Sequence, residues 1–227
     1  MRNFKRRWIL DRTKYMTEPE VRELRRVVEN KARADLATGR TTWPRFWMAL
    51  DLAVSAGLRV SEIAGLRIGN LHLNGIGNLH PNNGEARMRV LGKGKKLRDV
   101  FISSGLMRHL SDYLLWKRLL EEPMTPEAFV LVSSHRNPYA IRTLQYAFKV
   151  CLKEAGLPAE YSIHACRHSY GTILYRKTKN LRLVQKQLGH SSITTTTVYA
   201  DVSAEEAVEA VNGLFKGGER RDDTTPS

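Results

Sequence analysis

Cysteine is scarce in this 227-residue sequence, which holds only Cys151 and Cys166. Two cysteines in separate helical stretches supply too few ligands for a zinc site, so we expect buried free thiols. No apolar run approaches the roughly 18 residues that a membrane-spanning helix needs. The basic N-terminus is followed only by the short apolar stretch Trp8, Ile9 and Leu10, too little for a signal peptide. We therefore expect a cytoplasmic protein.

Positive charge, by contrast, is in excess. The chain carries 37 Lys and Arg against 23 Asp and Glu, a formal net charge of +14. Such an excess attracts a polyanion, and the release of counterions makes this binding dependent on salt. DNA, RNA and an anionic membrane surface all fit, so charge alone leaves the partner open.

Helical patterns dominate the chain. Thr17 and Glu20 form a capping box with Pro19 in the first turn, which marks the start of a helix. Apolar spacing predicts the other helices. They span about residues 44–56, 60–66, 139–155, 164–176, 181–188 and 203–212.

Short alternating or β-branched segments occupy the middle of the sequence. Residues 66–73, 86–91 and 97–102 are predicted to form an antiparallel three-stranded sheet. The Gly- and Asn-rich residues 74–85 are predicted to form a loop, and residues 92–96 a tight turn. The whole pattern indicates an α+β protein that is mainly α.

Some residue types in this chain suit an attack on a phosphodiester. A guanidinium fork matches two phosphate oxygens, so Arg59 and Arg167 can clamp a phosphate and stabilise its transition state. The oxygen of Tyr199 can form a covalent intermediate. Because the pKa of a free tyrosine is about 10, this phenol needs a base or strong local positive charge.

Other residues can move protons or contact a nucleic acid. His164 precedes Arg167 by three positions, so on a helix the two share a face. Lys93 lies between glycines in the predicted hairpin turn, which can enter a DNA groove. Lys95 and Lys96 beside it are candidate contacts to the DNA backbone. Each of these features alone also fits an ordinary surface cation or a structural histidine.

Four segments in this order resemble the catalytic domain of the tyrosine recombinase (phage integrase) family. They read AGLRVSEIAGL, VLGKGKKLRDV, HACRHSYGT and LGHSSITTTTVYA. The resemblance implies that family's catalytic-domain fold over residues 16–215. Composition predicts a basic arm or linker at 1–15 and a disordered tail at 216–227.

The resemblance implies a role for each matching residue. Tyr199 would be the nucleophile that forms a 3′-phosphotyrosine link to DNA. Arg59 and Arg167 would bind the scissile phosphate, and His190 would support that phosphate.

Proton transfer is implied for two further residues. Lys93 would be the general acid for the 5′ hydroxyl, and His164 would assist proton transfer to and from Tyr199. The phosphotyrosine link stores the bond energy, so the resemblance implies no ATP, no metal and no other cofactor. Glu62, one helical turn past Arg59, is expected to be a structural partner rather than a metal ligand.

Double-stranded DNA is the implied partner, with no membrane and no small-molecule substrate. The resemblance further implies a homo-tetramer on paired DNA sites. The helix at 203–212 would pack either onto a neighbouring subunit or onto its own core. Two departures from the family pattern stand out: the long 74–85 loop, and the absence of the N-terminal helical domain that commonly completes a clamp around DNA. We expect either a catalytic fragment or a minimal family member.

Two other functions fit the same residues. A type IB topoisomerase shares the phosphotyrosine chemistry but relaxes supercoils without a paired site. A non-catalytic DNA-binding regulatory protein would use the positive charge alone, although it would not need all six candidate catalytic residues. The sequence leaves the DNA target open, together with the choice among integration, resolution and transposition.

Overall fold

A computed structural model of the chain describes residues 12–73, 86–92, 94, 96–133, 136–190 and 196–199. This part of the protein is mainly helical with a small antiparallel sheet, which confirms the predicted fold class. The helices are α1 (Glu18–Ala37), α2 (Thr42–Ala56), α3 (Val60–Ala64), α4 (Ser104–Leu119), α5 (Ile141–Glu154), α6 (Ile163–Thr178) and α7 (Leu181–Leu188). The strands are β1 (Leu71–His72), β2 (Arg87–Leu91) and β3 (Leu97–Phe101).

The capping box at the start of α1 is confirmed. Glu20 N–H donates to Thr17 Oγ1 at 3.4 Å, and Thr17 N–H donates to the Glu20 carboxylate at 2.6 Å. Just before it, residues Arg12–Lys14 form a short 3-10 turn within the predicted arm. The Met16 N–H then donates to Ser169 Oγ at 2.7 Å, which attaches this end of the chain to α6.

The centre of the core is α2, which packs against α1, α4 and α6. Phe46, Leu50 and Leu52 are completely buried, as apolar residues on several faces of one helix require. Gly57 ends α2 in the left-handed conformation with φ 65°, directly after the predicted helix at 44–56. α3 begins three residues later, at Val60. Leu58 and Val60 are buried, so the core fixes the end of α2 and the start of α3.

The sheet has the order β1-β2-β3 with antiparallel pairing. Leu91 pairs with Leu97 across the predicted hairpin turn, and the Gly92 N–H donates to Lys96 O at 2.9 Å. The side chains of Val90, Arg98 and Val100 therefore lie on one face of the sheet. Both valines are buried. Arg98 is thus a charged residue on the inner face of a strand.

The predicted strand at 66–73 is wrong over most of its length. Only Leu71–His72 pair with β2, while Ile68–Asn70 form a 3-10 turn. The Ile68 and Gly69 N–H groups donate to Ala128 O and Pro126 O at 2.9 and 2.8 Å. These tertiary bonds, which local alternation cannot reveal, take the backbone donors that a longer strand would have used.

Helix α7 packs against β3, and one amide side chain bonds to the strand backbone. Gln187 Oε1 accepts from the Phe101 N–H at 3.1 Å, and Gln187 Nε2 donates to Phe101 O at 3.3 Å. The buried side chain thus satisfies the edge of the strand as a neighbouring strand would. This contact sets the position of the C-terminal end of α7 relative to the hairpin.

Three charged residues are buried between α2 and the end of α4. Arg45 donates to Glu122 Oε1 at 2.7 Å, and Lys117 Nζ donates to Glu122 Oε2 at 2.6 Å. Lys117 is completely buried, and both partners are below a tenth exposed. One carboxylate therefore compensates two cations in a region that excludes water.

No helix within the described ranges is long and apolar enough to cross a membrane. The predicted loop at 74–85, the helix at 203–212 and the tail at 216–227 lie outside the described residues, as does the arm before residue 12.

In the buried charge cluster, loss of the carboxylate should destabilise the protein more than loss of one cation. Glu122→Ala should lower the free energy of unfolding by about 3–5 kcal/mol, because it leaves two buried cations without a counterion. Lys117→Met should change it by only about 1 kcal/mol, since the Arg45–Glu122 pair survives and the methionine fills the space. Urea denaturation would measure the free energy of unfolding of both variants. Equal losses of stability would contradict the argument that unpaired buried cations destabilise Glu122→Ala.

Candidate active site

Arg59 stands at the N-terminal end of α3, immediately after the turn that ends α2. Its backbone N–H donates to Glu62 Oε2 at 2.9 Å, and its guanidinium donates to Glu62 Oε1 at 2.8 Å. The Arg59 side chain keeps 29% of its surface exposed, whereas the Glu62 side chain keeps 3%. The carboxylate therefore holds Arg59 from inside while part of the guanidinium remains open to a ligand.

A second arginine grips the same carboxylate. Arg98 of β3 donates to Glu62 Oε1 at 2.8 Å and to Oε2 at 2.9 Å, a bidentate ion pair. Its Nε donates to Gln187 O at 3.2 Å, near the end of α7. Arg98 thus joins the hairpin, α3 and α7 at one point.

The ionisation of Glu62 follows from these contacts. Burial raises the pKa of the Glu62 carboxyl, but hydrogen bonds from Arg98 and the Arg59 amide outweigh burial, and the pKa lies below its ordinary value. Glu62 is therefore a carboxylate at neutral pH. Its expected role as a structural partner is confirmed by these ion pairs.

Arg167 of α6 approaches the cluster from the other side. Its two terminal nitrogens donate to backbone carbonyls, to Gly57 O at 2.6 Å and to Leu188 O. These carbonyls belong to the C-terminal ends of α2 and α7, where the helix dipole is negative. Glu62 Oε2 lies 3.9 Å away. Burial and the nearby Arg59 lower the pKa of Arg167 to about 10, so it stays charged at neutral pH.

The cluster as a whole keeps an excess of positive charge, because three guanidiniums surround one carboxylate. The two arginines that the sequence selected, Arg59 and Arg167, both belong to it. Desolvated cations in excess are the arrangement that favours an anionic group such as a phosphate. This site can therefore hold a phosphodiester next to whatever nucleophile lies beside it.

Tyr199 lies in the short turn Thr197–Tyr199, near enough to Arg167 and Arg59 for their charges to act on its hydroxyl. The residue is 5% exposed and packs against Val184 and Leu188 of α7. On α6, a Cβ added at Gly171 would come within 2.9 Å of the Tyr199 ring, so only glycine leaves room for this ring. Burial raises the pKa of Tyr199 to about 12, although Arg167 and Arg59 oppose the shift. The phenol is protonated at neutral pH.

Two imidazoles contact Tyr199. His168 Nδ1 lies 3.1 Å from the Tyr199 hydroxyl, and the His190 ring stacks on the tyrosine ring at 6.2 Å and 13°. Burial, together with Arg167, lowers the pKa of His168 to about 4 and that of His190 to about 4. Both imidazoles are therefore neutral at pH 7 and can accept a proton.

His190 follows Gly189, which ends α7 in the left-handed conformation with φ 64°. A Cβ at Gly189 would lie 2.4 Å from Arg98 Cδ, so glycine is required here for space as well as for conformation. His190 Nδ1 lies 3.1 Å from Thr196 Oγ1. These contacts place His190 between the arginine cluster and Tyr199.

The structure thus brings together Arg59, Arg167, His190 and Tyr199 among the predicted site residues. His164 is exposed near the start of α6, and Lys96 is exposed at the hairpin turn. Lys93 and Lys95 lie outside the described residues, but a Cβ at the neighbouring Gly92 would be 3.2 Å from Arg98 Nη1. Gly92, at the end of β2, therefore lies close to the arginine cluster.

Sequence reasoning missed Arg98 and His168. Arg98 carried a signal, because it occupies the apolar face of an alternating strand and so had to find a buried counterion. His168 lies four positions after His164 and directly after Arg167, so helical spacing could have selected it as well. Within the described ranges, no group of three or more His, Cys, Asp or Glu side chains could hold a metal ion.

A buried tyrosine beside paired guanidiniums, at the junction of two helix ends and a hairpin, characterises a candidate site for covalent phosphoryl transfer. The comparison of sequences identifies the family. The model of the phage integrase family matches residues 14–206, and the chain belongs to this family.

The curated relatives include several tyrosine recombinases. The chain is 31% identical over 170 residues to "Tyrosine recombinase XerC" of Caldanaerobacter subterraneus subsp. tengcongensis, an alignment that covers 74% of this chain and 44% of the relative. It is 36% identical over 156 residues to "Tyrosine recombinase XerC 1" of Ralstonia nicotianae, covering 67% of this chain and 47% of the relative. The chain thus spans about half the length of these relatives.

Solved structures share the fold. The crystal structure of XerA recombinase superimposes with a TM-score of 0.67 and 24% identity, covering 87% of this chain and 64% of that chain. XerH site-specific recombinase, in a pre-cleavage complex with its difH substrate, gives a TM-score of 0.69 and 22% identity. That match covers 87% of this chain and 53% of XerH. At these identities the likeness is one of fold.

The first prediction for the site concerns its central carboxylate. Glu62→Gln should lower the free energy of unfolding by about 3 kcal/mol, since three close guanidiniums lose their counterion. Sulfate should restore more stability to this variant than to the wild-type protein, because the anion can replace the lost charge. Thermal unfolding with and without sulfate measures both effects. The exposed Glu121→Gln, which removes the same charge, is the control and should cost under about 0.5 kcal/mol.

A second prediction concerns pH. The pKa of His168 falls from 6.5 to about 4 on folding, so between these values the unfolded state binds more protons. Stability is therefore complete above pH 6.5 and declines as pH falls towards 4. His168→Asn should remove about 1–2 kcal/mol of this decline, a value discounted for partial exposure. Melting curves between pH 7 and 4 test this, and parallel curves for both proteins would contradict it.

Proposed function

We propose that this chain is a catalytic domain that cleaves and rejoins double-stranded DNA as a site-specific recombinase. The observation that carries the proposal is the position of Tyr199 beside the Arg59–Arg167 cluster. Membership of the phage integrase family supports it, as does the resemblance to relatives named as tyrosine recombinases. Integration, resolution and transposition would all use this chemistry.

In the proposed reaction, Arg59 and Arg167 hold the non-bridging oxygens of the scissile phosphate. The Tyr199 oxygen attacks phosphorus, and a 3′-phosphotyrosine link replaces the bond to the 5′ oxygen. Lys93 is proposed to give the departing 5′ oxygen its proton, with His164 assisting proton transfer and His190 supporting the phosphate. In the reverse step a 5′ hydroxyl attacks the link, so the bond energy is conserved without ATP.

Local charge explains why the reaction would wait for DNA. At neutral pH Tyr199 is a protonated phenol, because burial keeps its pKa at about 12. A phosphate bound to the arginines provides the electrophile, and the guanidiniums stabilise both the phenolate and the charge that develops on phosphorus. Metal is not required in this scheme, so EDTA should not inhibit the reaction.

The proposal also covers subunit assembly, contacts to the DNA backbone and cellular location. Full recombination would join paired sites in a homo-tetramer, with residues 203–212 as a candidate contact between subunits. Lys95 and Lys96 would contact the DNA backbone beside the active site. A cytoplasmic location would give the protein access to DNA.

A covalent adduct tests the proposal. Wild-type protein would be mixed with a pool of nicked duplexes whose central sequence is randomised, and SDS-resistant protein–DNA adducts would be isolated and sequenced. Adducts should form with the wild-type protein and vanish in Tyr199→Phe. Arg167→Ala should lower adduct formation by at least about 10²-fold while retaining most non-specific DNA binding.

The alternatives give different results in the same assay. Tight DNA binding with no adduct would contradict the enzyme and favour a regulatory DNA-binding protein. Adducts accompanied by relaxation of supercoiled plasmid, with no joined products from paired sites, would favour a topoisomerase.

A further inference from the structure

The hydroxyl of Tyr199 contacts a histidine that the sequence did not select. His168 Nδ1 is 3.1 Å from the phenolic oxygen, within hydrogen-bond distance. His168 follows Arg167 on α6, so its position is set by the same helix that anchors the phosphate cluster. His164, to which the family resemblance gives proton transfer, is exposed one turn earlier.

The surroundings of His168 decide its charge. The charged and titratable groups that act on it are Arg167 and His164 of α6 and Lys14 of the N-terminal turn, and Tyr199 faces it directly. Burial and these positive neighbours favour the neutral imidazole. In the tautomer with its proton on Nε2, Nδ1 is free to accept the Tyr199 hydroxyl.

The remaining imidazole near the phenol is engaged elsewhere. His190 has Thr196 Oγ1 beside its Nδ1 and stacks its ring on the Tyr199 ring. The two ring centroids lie 6.2 Å apart, and the hydrogen-bond contact of His190 Nδ1 is with Thr196 rather than with the phenol. His168 is thus the imidazole whose nitrogen the structure places at the phenolic oxygen.

We propose that His168 is a further catalytic residue, whose Nδ1 accepts the Tyr199 proton during cleavage and returns it during resealing. This inference rests on the proposed function. As the bond between the Tyr199 oxygen and phosphorus forms, the phenolic proton moves to Nδ1. The bond from phosphorus to the 5′ oxygen breaks with its electron pair on that oxygen, which takes a proton from the general acid, proposed above as Lys93.

Bound DNA would prepare His168 for this step. A phosphate on Arg59 and Arg167 brings negative charge near His168 and raises the imidazole pKa from about 4 towards the working pH. The same pocket that keeps His168 neutral in the free protein then stabilises its imidazolium in the transition state. Proton acceptance is thereby coupled to the presence of the substrate.

Variants separate proton acceptance from simple positioning. His168→Asn keeps a short polar group that can accept the hydroxyl hydrogen bond but cannot take up the proton, whereas His168→Ala loses both. Both should lower the rate of adduct formation about 10²-fold at neutral pH. The test uses duplexes recovered from the randomised pool, and plasmid binding should remain at the wild-type level.

Rescue by added imidazole distinguishes a proton acceptor from a residue with a purely structural role. Imidazole should restore adduct formation in His168→Ala, because the small side chain leaves space for the missing base, but not in His168→Asn. The control is His109→Asn, which loses the 2.7 Å contact with Asp51 on another part of the fold. This control should lose stability without losing rate.

A modified substrate tells which proton transfer is impaired. A duplex with sulfur at the bridging 5′ position releases a thiolate that needs no proton, so Lys93→Ala should regain activity on it. His168→Ala should not, since its defect lies at the nucleophile. Recovery of His168→Ala on this substrate would overturn the proposal.

Two other results would also overturn it. One is a folded His168→Asn variant that cleaves at the wild-type rate. The other is recovery of His164→Ala by imidazole while His168→Ala stays inactive. If His168→Ala fails to fold, the rate of His168→Asn decides alone. Absence of adducts from the wild-type protein is a different outcome, because it rejects the proposed function before His168 is tested.

Discussion

The Glu62 carboxylate is the constraint on which the site depends. Three guanidiniums within a few ångströms would repel one another strongly in a buried region, and this one anion lets Arg59, Arg98 and Arg167 coexist. Each arginine comes from a different element, so the carboxylate also fixes α3, β3 and α6 relative to one another. Because Glu62 is the one carboxylate of the cluster among the residues that the structure describes, the cluster remains attractive to a phosphate.

Backbone carbonyls also stabilise a buried guanidinium, and they do so without cancelling its positive charge. Arg167 donates to Gly57 O and Leu188 O, which carry partial negative charge at two helix C-termini. A second carboxylate would have neutralised the cluster and competed with DNA phosphate. Dipoles satisfy the hydrogen bonds of the guanidinium while its full charge survives, so burial of Arg167 and attraction of an anion are compatible.

Local sequence patterns predicted those structural features that depend on residues close together in the chain. The capping box at Thr17, the helix end at Gly57 and the pairing of β2 with β3 needed only short-range rules. The strand at 66–73 failed because Gly69 bonds to Pro126, a contact over a long sequence separation. Arg59, Arg167 and Tyr199 could be selected by their chemistry, and the family resemblance added His190. The partners that orient these residues depended on packing that no periodicity reveals.

Neutral histidines complete this electrostatic arrangement. Protonated imidazoles beside Arg167 would add to a charge that is already in excess, and the surroundings hold the pKa of both His168 and His190 at about 4. A neutral imidazole can accept from Tyr199, while the arginines stand ready to stabilise a phenolate. The low pKa of the acceptor and the high pKa of the phenol keep the proton on Tyr199 until an anion enters. In the proposed reaction, reactivity is thus tied to the arrival of the phosphate that the arginine cluster would bind.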